Sequence, residues 1–266
     1  MTLALAIFYG IVQGLTEFLP ISSSGHLAIL PFLFSFKDPG VAFDLMMHIG
    51  TALAVICYYY KDILLILSDL PKLAVTRDLK LYPKLSFLMI GTLASVVLIV
   101  ILKPIAEFAR DPLFIAFNMI FFGFLLWRVS IRAGEKNFKE LNIIHAILIG
   151  LAQSIAIFPG VSRSGITLST AYALGYNKEE AGSYSFLLSL PIILAGAITK
   201  LPDLEMSGEV TATTLMAGVL SSFIVGILTI HFFMKFIRKV NFFHFFVYRF
   251  ILGLVLIAFI YQSKLF

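Results

Sequence analysis

Hydrophobic positions in this chain come as long unbroken runs. They show neither the 3.6-residue stripe of a surface helix nor the two-residue alternation of a half-buried strand. Six runs, at about 43–60, 85–102, 113–131, 181–199, 211–233 and 245–261, each approach the roughly 20 residues that carry a helix across a 30 Å hydrocarbon core. Two further stretches, 2–36 and 141–174, are 35 and 34 residues long, too long for one span and short of the roughly 40 residues that two spans require. Each is interrupted in its middle, the first by Pro20 and Ser22-Ser23-Ser24-Gly25, the second by Pro159-Gly160 and Ser162-Arg163-Ser164-Gly165. This pattern predicts two re-entrant hairpins, each built of two half-helices.

The expected fold class is therefore an all-α integral membrane protein with six transmembrane helices and two opposed re-entrant hairpins. Composition agrees: 60% of the 266 residues are hydrophobic and 13% charged, against about 25% charged in an average soluble domain. That excludes a soluble globular protein, and the continuity of the runs excludes a strand barrel, which needs short alternating segments. The net charge of +5 belongs to loops beside a membrane, so no nucleic-acid partner is expected. A single cysteine, Cys57, excludes an intramolecular disulfide and a thiolate metal cluster. The N-terminus lacks the basic region of a cleaved signal and is read as mature protein.

Loop charges set the expected orientation. With both hairpins returning to their own side, one face receives five cations (Lys37, Lys103, Arg110, Lys200 and Lys264). The other receives thirteen, among them Lys61, Lys72, Arg77, Lys80, Arg128, Lys136, Lys139 and Arg238. The positive-inside rule makes the second face cytoplasmic and puts both termini outside. The run Tyr58-Tyr59-Tyr60-Lys61 and Trp127 beside Arg128 are then interfacial anchors. The stretch from Gln13 through Pro20 to Gly25 is similar to that from Gln153 through Pro159 to Gly165. The chain reads as one polytopic domain, 1–266, made of inverted-topology halves at about 1–131 and 141–262.

The two breaks gather the chemistry. Gln13 and Glu17 are four residues apart and share a helix face just before Pro20. Ser22, Ser23 and Ser24, followed by Gly25, supply caps for a half-helix whose first N–H groups lack intrahelical partners, a geometry that binds anions. In the second break Ser162 caps, Ser164, Gly165 and Thr167 follow, and Arg163 adds a planar fork for bidentate phosphate contact. A structural Glu17–Arg163 ion pair would account for two intramembrane charges but not for the hydroxyls around them. His26, beside the serine triplet, is read as a base, nucleophile or proton donor. Acid, hydroxyl, imidazole and guanidinium together suit cleavage of a phosphate ester or anhydride. Glu17 also offers a hard oxygen ligand to Mg²⁺ or Ca²⁺, completed by water and substrate phosphates.

Other polar residues are read structurally. Asp44 and His48 share a helix face and have metal-ligand chemistry, but at a span's end they are taken as interfacial. Tyr248-Arg249 is expected to snorkel to the cytoplasmic interface and the aromatic run from Phe232 to Phe250 to face lipid. Ser183, Ser185 and Ser189 form a small-residue stripe for close helix packing.

The segment from Gln13 through Glu17, Pro20, Ser22, Ser23, Ser24 and Gly25 to His26, and the segment from Pro159 through Ser162, Arg163 and Ser164 to Gly165, closely resemble the two signature motifs of the bacterial undecaprenyl-diphosphatase or bacitracin-resistance family. The resemblance runs over essentially the whole chain, including Phe43-Asp44, Gly50 to Ala54, Ser185 to Leu188 with Pro191, and Tyr248-Arg249. It implies a hydrolase of the bacterial plasma (inner) membrane that removes the terminal phosphate of undecaprenyl diphosphate, recycling the carrier lipid for cell-wall polymers such as peptidoglycan. It implies dependence on Mg²⁺ or Ca²⁺, an active site open to the outer face, and a chain compatible with a homodimer. Carried over residue by residue, Glu17 resembles the essential acid, Ser23 the essential serine, His26 the essential histidine and Arg163 the essential arginine. The family often carries a second glutamate where this chain has Gln13.

For the chemical step two routes stay open on the sequence: attack by Ser23 deprotonated by His26, or attack by a water activated by Glu17 or His26. The rival class is a polyprenyl-phosphate flippase or secondary transporter, which uses the same plan of inverted repeats with broken helices.

Overall fold

The computed structural model describes residues 2–34, 36, 38–109, 111–137, 140–200, 202 and 210–263. Of the loop cations that set the orientation, Lys37, Arg110, Lys139 and Lys264 lie outside the described residues.

The described residues are helical apart from turns and one isolated bridge between Lys136 and Tyr176. In chain order the helices are α1 (Leu3–Thr16), α2 (Ser23–Phe34), α3 (Val41–Tyr58), α4 (Tyr60–Thr76), α5 (Pro83–Phe108), α6 (Pro112–Ser130), α7 (Ile143–Ser154), α8 (Arg163–Ala173), α9 (Lys178–Lys200), α10 (Ala212–Phe236) and α11 (Phe243–Ser263). Six of them, α3, α5, α6, α9, α10 and α11, are long and apolar enough to cross a membrane, and they coincide with the six runs in the sequence. Their outward faces carry Leu93, Val100, Ile198, Met216 and Ile251, all more than half exposed, as lipid contact requires of an integral membrane protein. Local chemistry starts these helices where expected. Asp111 accepts from the N–H groups of Leu113 and Phe114 ahead of α6, with Pro112 at the first helical position. Thr211 and Thr214 form a reciprocal cap at the start of α10.

Helix α4 is an addition to the sequence reading, which left residues 60–76 in a loop. Its cations sit on an amphipathic helix whose Leu64, Leu67 and Val75 remain exposed.

The short helices α1 and α7 each bury one face against a long helix and leave another exposed, with Leu3 and Leu15 on α1 and Ile144 and Leu148 on α7 at the surface. Helix α1 packs on α10 and α7 on α5; α10 also packs on α3, and α5 on α9. Small residues set the first of these distances. A Cβ at Gly10 would lie 2.0 Å from Ser221 Oγ and one at Gly14 2.8 Å from the Ser222 carbonyl, so α1 and α10 approach closely enough for the small Ser221 side chain to donate to the Ile7 carbonyl across the seam. The core below the two breaks is aromatic, with Phe18 meeting Phe186 edge to face at 5.1 Å between centroids. The aromatic run near the C-terminus is divided between lipid and core. Phe232, Phe236 and Phe250 are exposed, but Phe233 and Phe242 are buried, which corrects the expectation of a wholly lipid-facing surface.

Candidate active site

Both breaks use the same backbone device. After Pro20 the chain turns at Ser22 with φ +75°, and after Pro159-Gly160 it turns at Ser162 with φ +71°. Each serine spends its hydroxyl on capping: Ser22 Oγ accepts from Gly25 N at 3.3 Å and Ser162 Oγ from Gly165 N at 3.2 Å. A left-handed serine is costly, about 1–3 kcal/mol, and persists where surrounding contacts fix it. The fixing residue is Arg249. Its guanidinium is fully buried and donates to the Met119, Asn118, Pro20, Gly160 and Val161 carbonyls over 2.7 to 3.3 Å. One side chain thus satisfies carbonyls freed at both breaks. This overturns the reading of Arg249 as a snorkelling interfacial residue. The breaks release carbonyls inside the protein, and these outcompete the interface for the charge.

That frame places Glu17, Ser23 and Arg163 together. Ser23 Oγ donates to Glu17 Oε2 at 2.6 Å, Gln13 Nε2 donates to the same oxygen at 2.9 Å, and Arg163 pairs with Glu17 Oε1. The Glu17–Arg163 ion pair therefore exists, and hydroxyls surround it. Glu17, Ser23 and Arg163, but not Gln13, line a cavity of about 250 Å³, together with Ser24, Ser162, His48, Gln153 and an apolar wall that includes Leu45, Ile99, Ile157 and Ile192. Arg163 Nη1 is buried with no hydrogen-bond partner among the described residues, as is Gln13 Oε1. A guanidinium arm without an acceptor, in a cavity with a hydroxyl and a carboxylate, suits an anionic group presenting several oxygens.

The remaining site residues from the sequence divide. Ser22, Gly25 and Gly165 build the capped turns. Ser164 Oγ reaches Ser162 Oγ and the Leu19 carbonyl, while Thr167 Oγ1 donates to backbone and meets Ser185 Oγ at 2.6 Å. His26 stands apart from the cavity. Its Nδ1–H donates to the Ser22 carbonyl at 2.7 Å, and its Nε2 accepts from the Tyr248 hydroxyl at 2.6 Å, with the rings stacked at 4°. Tyr248, itself exposed, thus holds the imidazole through its hydroxyl.

His48 is the residue that sequence reasoning set aside. It lines the cavity, its Nδ1–H donates to the Asp44 carbonyl at 2.7 Å, and Nε2 lies 3.4 Å from Glu17 Oε2. The signal was present in the spacing of Asp44 and His48 on one helix face; what it lacked was the partner, which comes from another helix.

A divalent cation fits this donor set in part. Glu17 carboxylate and the orphaned Gln13 amide oxygen are hard ligands, but no group of three or more His, Cys, Asp or Glu side chains gathers for a metal among the described residues. Substrate and solvent oxygens would have to complete the shell.

Comparison with known proteins agrees with the motifs. The profile of the family described as bacitracin resistance protein BacA matches residues 6–255. A protein named undecaprenyl-diphosphatase from Caldicellulosiruptor bescii is 41% identical over 265 residues, covering 97% of this chain and 98% of its own. Proteins of the same name from Moorella thermoacetica and Alcanivorax borkumensis are 38% and 40% identical, covering 97% and 95% of this chain and 98% and 97% of their own. With matches of that length and with the serine, acid and arginine of both motifs in one cavity, the chain belongs to the bacitracin resistance protein BacA family.

Proposed function

We propose that this protein is an undecaprenyl-diphosphate phosphatase: it hydrolyses the lipid diphosphate to the monophosphate and inorganic phosphate, the activity that names its relatives. The observation that carries the reading is the Ser23 hydroxyl hydrogen-bonded to the Glu17 carboxylate beside an Arg163 arm that has no acceptor of its own.

Glu17 takes the Ser23 proton as Oγ attacks the terminal phosphorus. The bond from phosphorus to the bridging oxygen breaks, and the lipid monophosphate leaves with that electron pair. Arg163 holds the non-bridging oxygens through the transfer, and the N-termini of α2 and α8 add their unpaired N–H groups. The serine then carries the phosphoryl group, and water releases it. His26 acts through Ser22, holding the left-handed turn that aims Ser23, because both its ring nitrogens are engaged elsewhere. Mg²⁺ or Ca²⁺, held by Glu17 with the Gln13 oxygen, would supply charge neutralisation at the diphosphate.

The paired short helices α1–α2 and α7–α8 are read as re-entrant hairpins that enter from opposite faces. The reciprocal packing of α1 on α10 and α7 on α5 supports inverted-repeat halves of one domain. The loop-charge count supports both termini outside, and the family resemblance supports a place in the bacterial plasma membrane with the cavity open to the outer face.

Purified protein incubated with a long-chain prenyl diphosphate should release inorganic phosphate in Mg²⁺ or Ca²⁺, and Ser23→Ala should abolish release. Absence of phosphate release with either cation would overturn the phosphatase reading and leave lipid translocation.

A further inference from the structure

Gln153 lines the cavity from α7 and takes no part in the transfer to Ser23. It is 2% exposed, so each polar atom of its amide needs a partner. The surroundings fix which way the amide points. Ser95 Oγ has a single proton, for which the Gly91 and Gly150 carbonyls, both at 2.8 Å, already compete, so towards Gln153 it accepts. Leu188 O, the other neighbour, is likewise an acceptor. Gln153 Nε2 therefore donates to Ser95 Oγ at 3.0 Å and to Leu188 O at 3.5 Å, and a flipped amide would set oxygen against the Leu188 carbonyl and draw the Ser95 proton away from Gly91 and Gly150. Oε1 is left as a buried acceptor without a partner among the described residues.

A buried carbonyl-type oxygen left unpaired is destabilising, so it calls for a donor. The substrate's diphosphate offers acceptor oxygens and would be repelled. Water is the donor that the second half of the reaction requires, and it must stand in this same cavity, opposite the serine that carries the phosphoryl group.

We propose that Gln153 is a positioning residue for dephosphorylation: its Oε1 accepts a hydrogen bond from the water that attacks the phosphoryl group on Ser23. The inference rests on the reading of Ser23 as the nucleophile. In this step the water oxygen bonds to phosphorus as the phosphorus–Oγ bond breaks. The protonated Glu17 returns its proton to Ser23 Oγ, and both hydrogens of the water leave on inorganic phosphate. Gln153 neither gains nor loses a proton. It orients the attacking lone pair, an effect of the kind that places reacting atoms in a productive geometry.

The test is rapid-quench kinetics on the full-length protein in detergent or lipid, with a prenyl diphosphate labelled at the terminal phosphorus. Label bound at Ser23 is followed separately from free phosphate. In Gln153→Met, which keeps volume without the amide, phosphorylation of Ser23 should proceed at the wild-type rate while phosphate release falls tenfold or more, so that labelled Ser23 accumulates. Ser95→Ala, which frees the amide to rotate, should show the same pattern more weakly. Added methanol should then capture a larger share of the phosphoryl group in both variants than in wild type. Equal slowing of the two steps would reduce Gln153 to a structural residue and overturn the inference. So would wild-type partitioning to methanol, while label at Ser23 in wild type left the nucleophile assignment intact. Absence of label at Ser23 in every protein would overturn both.

Discussion

Replacing Arg163 by lysine keeps the charge and removes the fork, which isolates what the geometry contributes. Arg163 makes an ion pair with Glu17 through one arm and keeps Nη1 buried and unpaired for the substrate. A lysine ammonium is a single point on a flexible stem, so it can keep Glu17 or reach the phosphoryl oxygens but cannot bridge both. The loss is one charge-assisted hydrogen bond in the transition state, about 1.5–3 kcal/mol. At 1.36 kcal/mol per tenfold, kcat/KM should fall by a factor of about 10 to 150. The carboxylate stays paired, so the fold should hold. The assay is steady-state phosphate release from a prenyl diphosphate, with thermal unfolding in detergent run alongside. Turnover within threefold of wild type, with an unchanged unfolding temperature, would refute the two-armed role of Arg163.

Three further substitutions probe the frame. Gly160 has φ +90°, and a Cβ there would lie 2.5 Å from the Ile115 carbonyl, so Gly160→Ala should destabilise the protein by about 1–3 kcal/mol, read as a lowered unfolding temperature. Arg249→Lys places three donors where carbonyls from both breaks need bonds, and it should lower both the unfolding temperature and kcat, by tenfold or more for the latter. Tyr248→Phe removes one neutral hydrogen bond from His26, about 0.5–1.5 kcal/mol, and should lower kcat two- to tenfold with KM unchanged.

The spans were legible because lipid exposure demands continuous apolar runs, and no tertiary contact can disguise a run of that length. The breaks were legible for the complementary reason: Pro20 and Pro159, followed by serines and glycines, cannot continue a helix in a medium that leaves no backbone group unsatisfied. Helix α4 escaped because Lys61, Asp62, Asp69 and Lys72 make it look like a charged loop, and its apolar positions form a stripe, not a run. Arg249 escaped for a different reason. Its acceptors are carbonyls that become available only when both breaks meet against α6 and α11, and nothing in its own neighbourhood in sequence marks them. His48 was visible as chemistry but not as a contact of Glu17. His26 shows the reverse: the motif marked it as reactive, while the geometry gives both ring nitrogens to Ser22 and Tyr248.

Catalysis depends on the two breaks forming one centre, and a double-mutant cycle on phosphate release measures that directly. Glu17→Gln and Arg163→Gln should each reduce kcat/KM severely, and the double variant should be close to the worse single one, because each removes a member of the same unit. Additive losses, with the double variant falling by the product of the two single factors, would place the two residues in independent sites and contradict it.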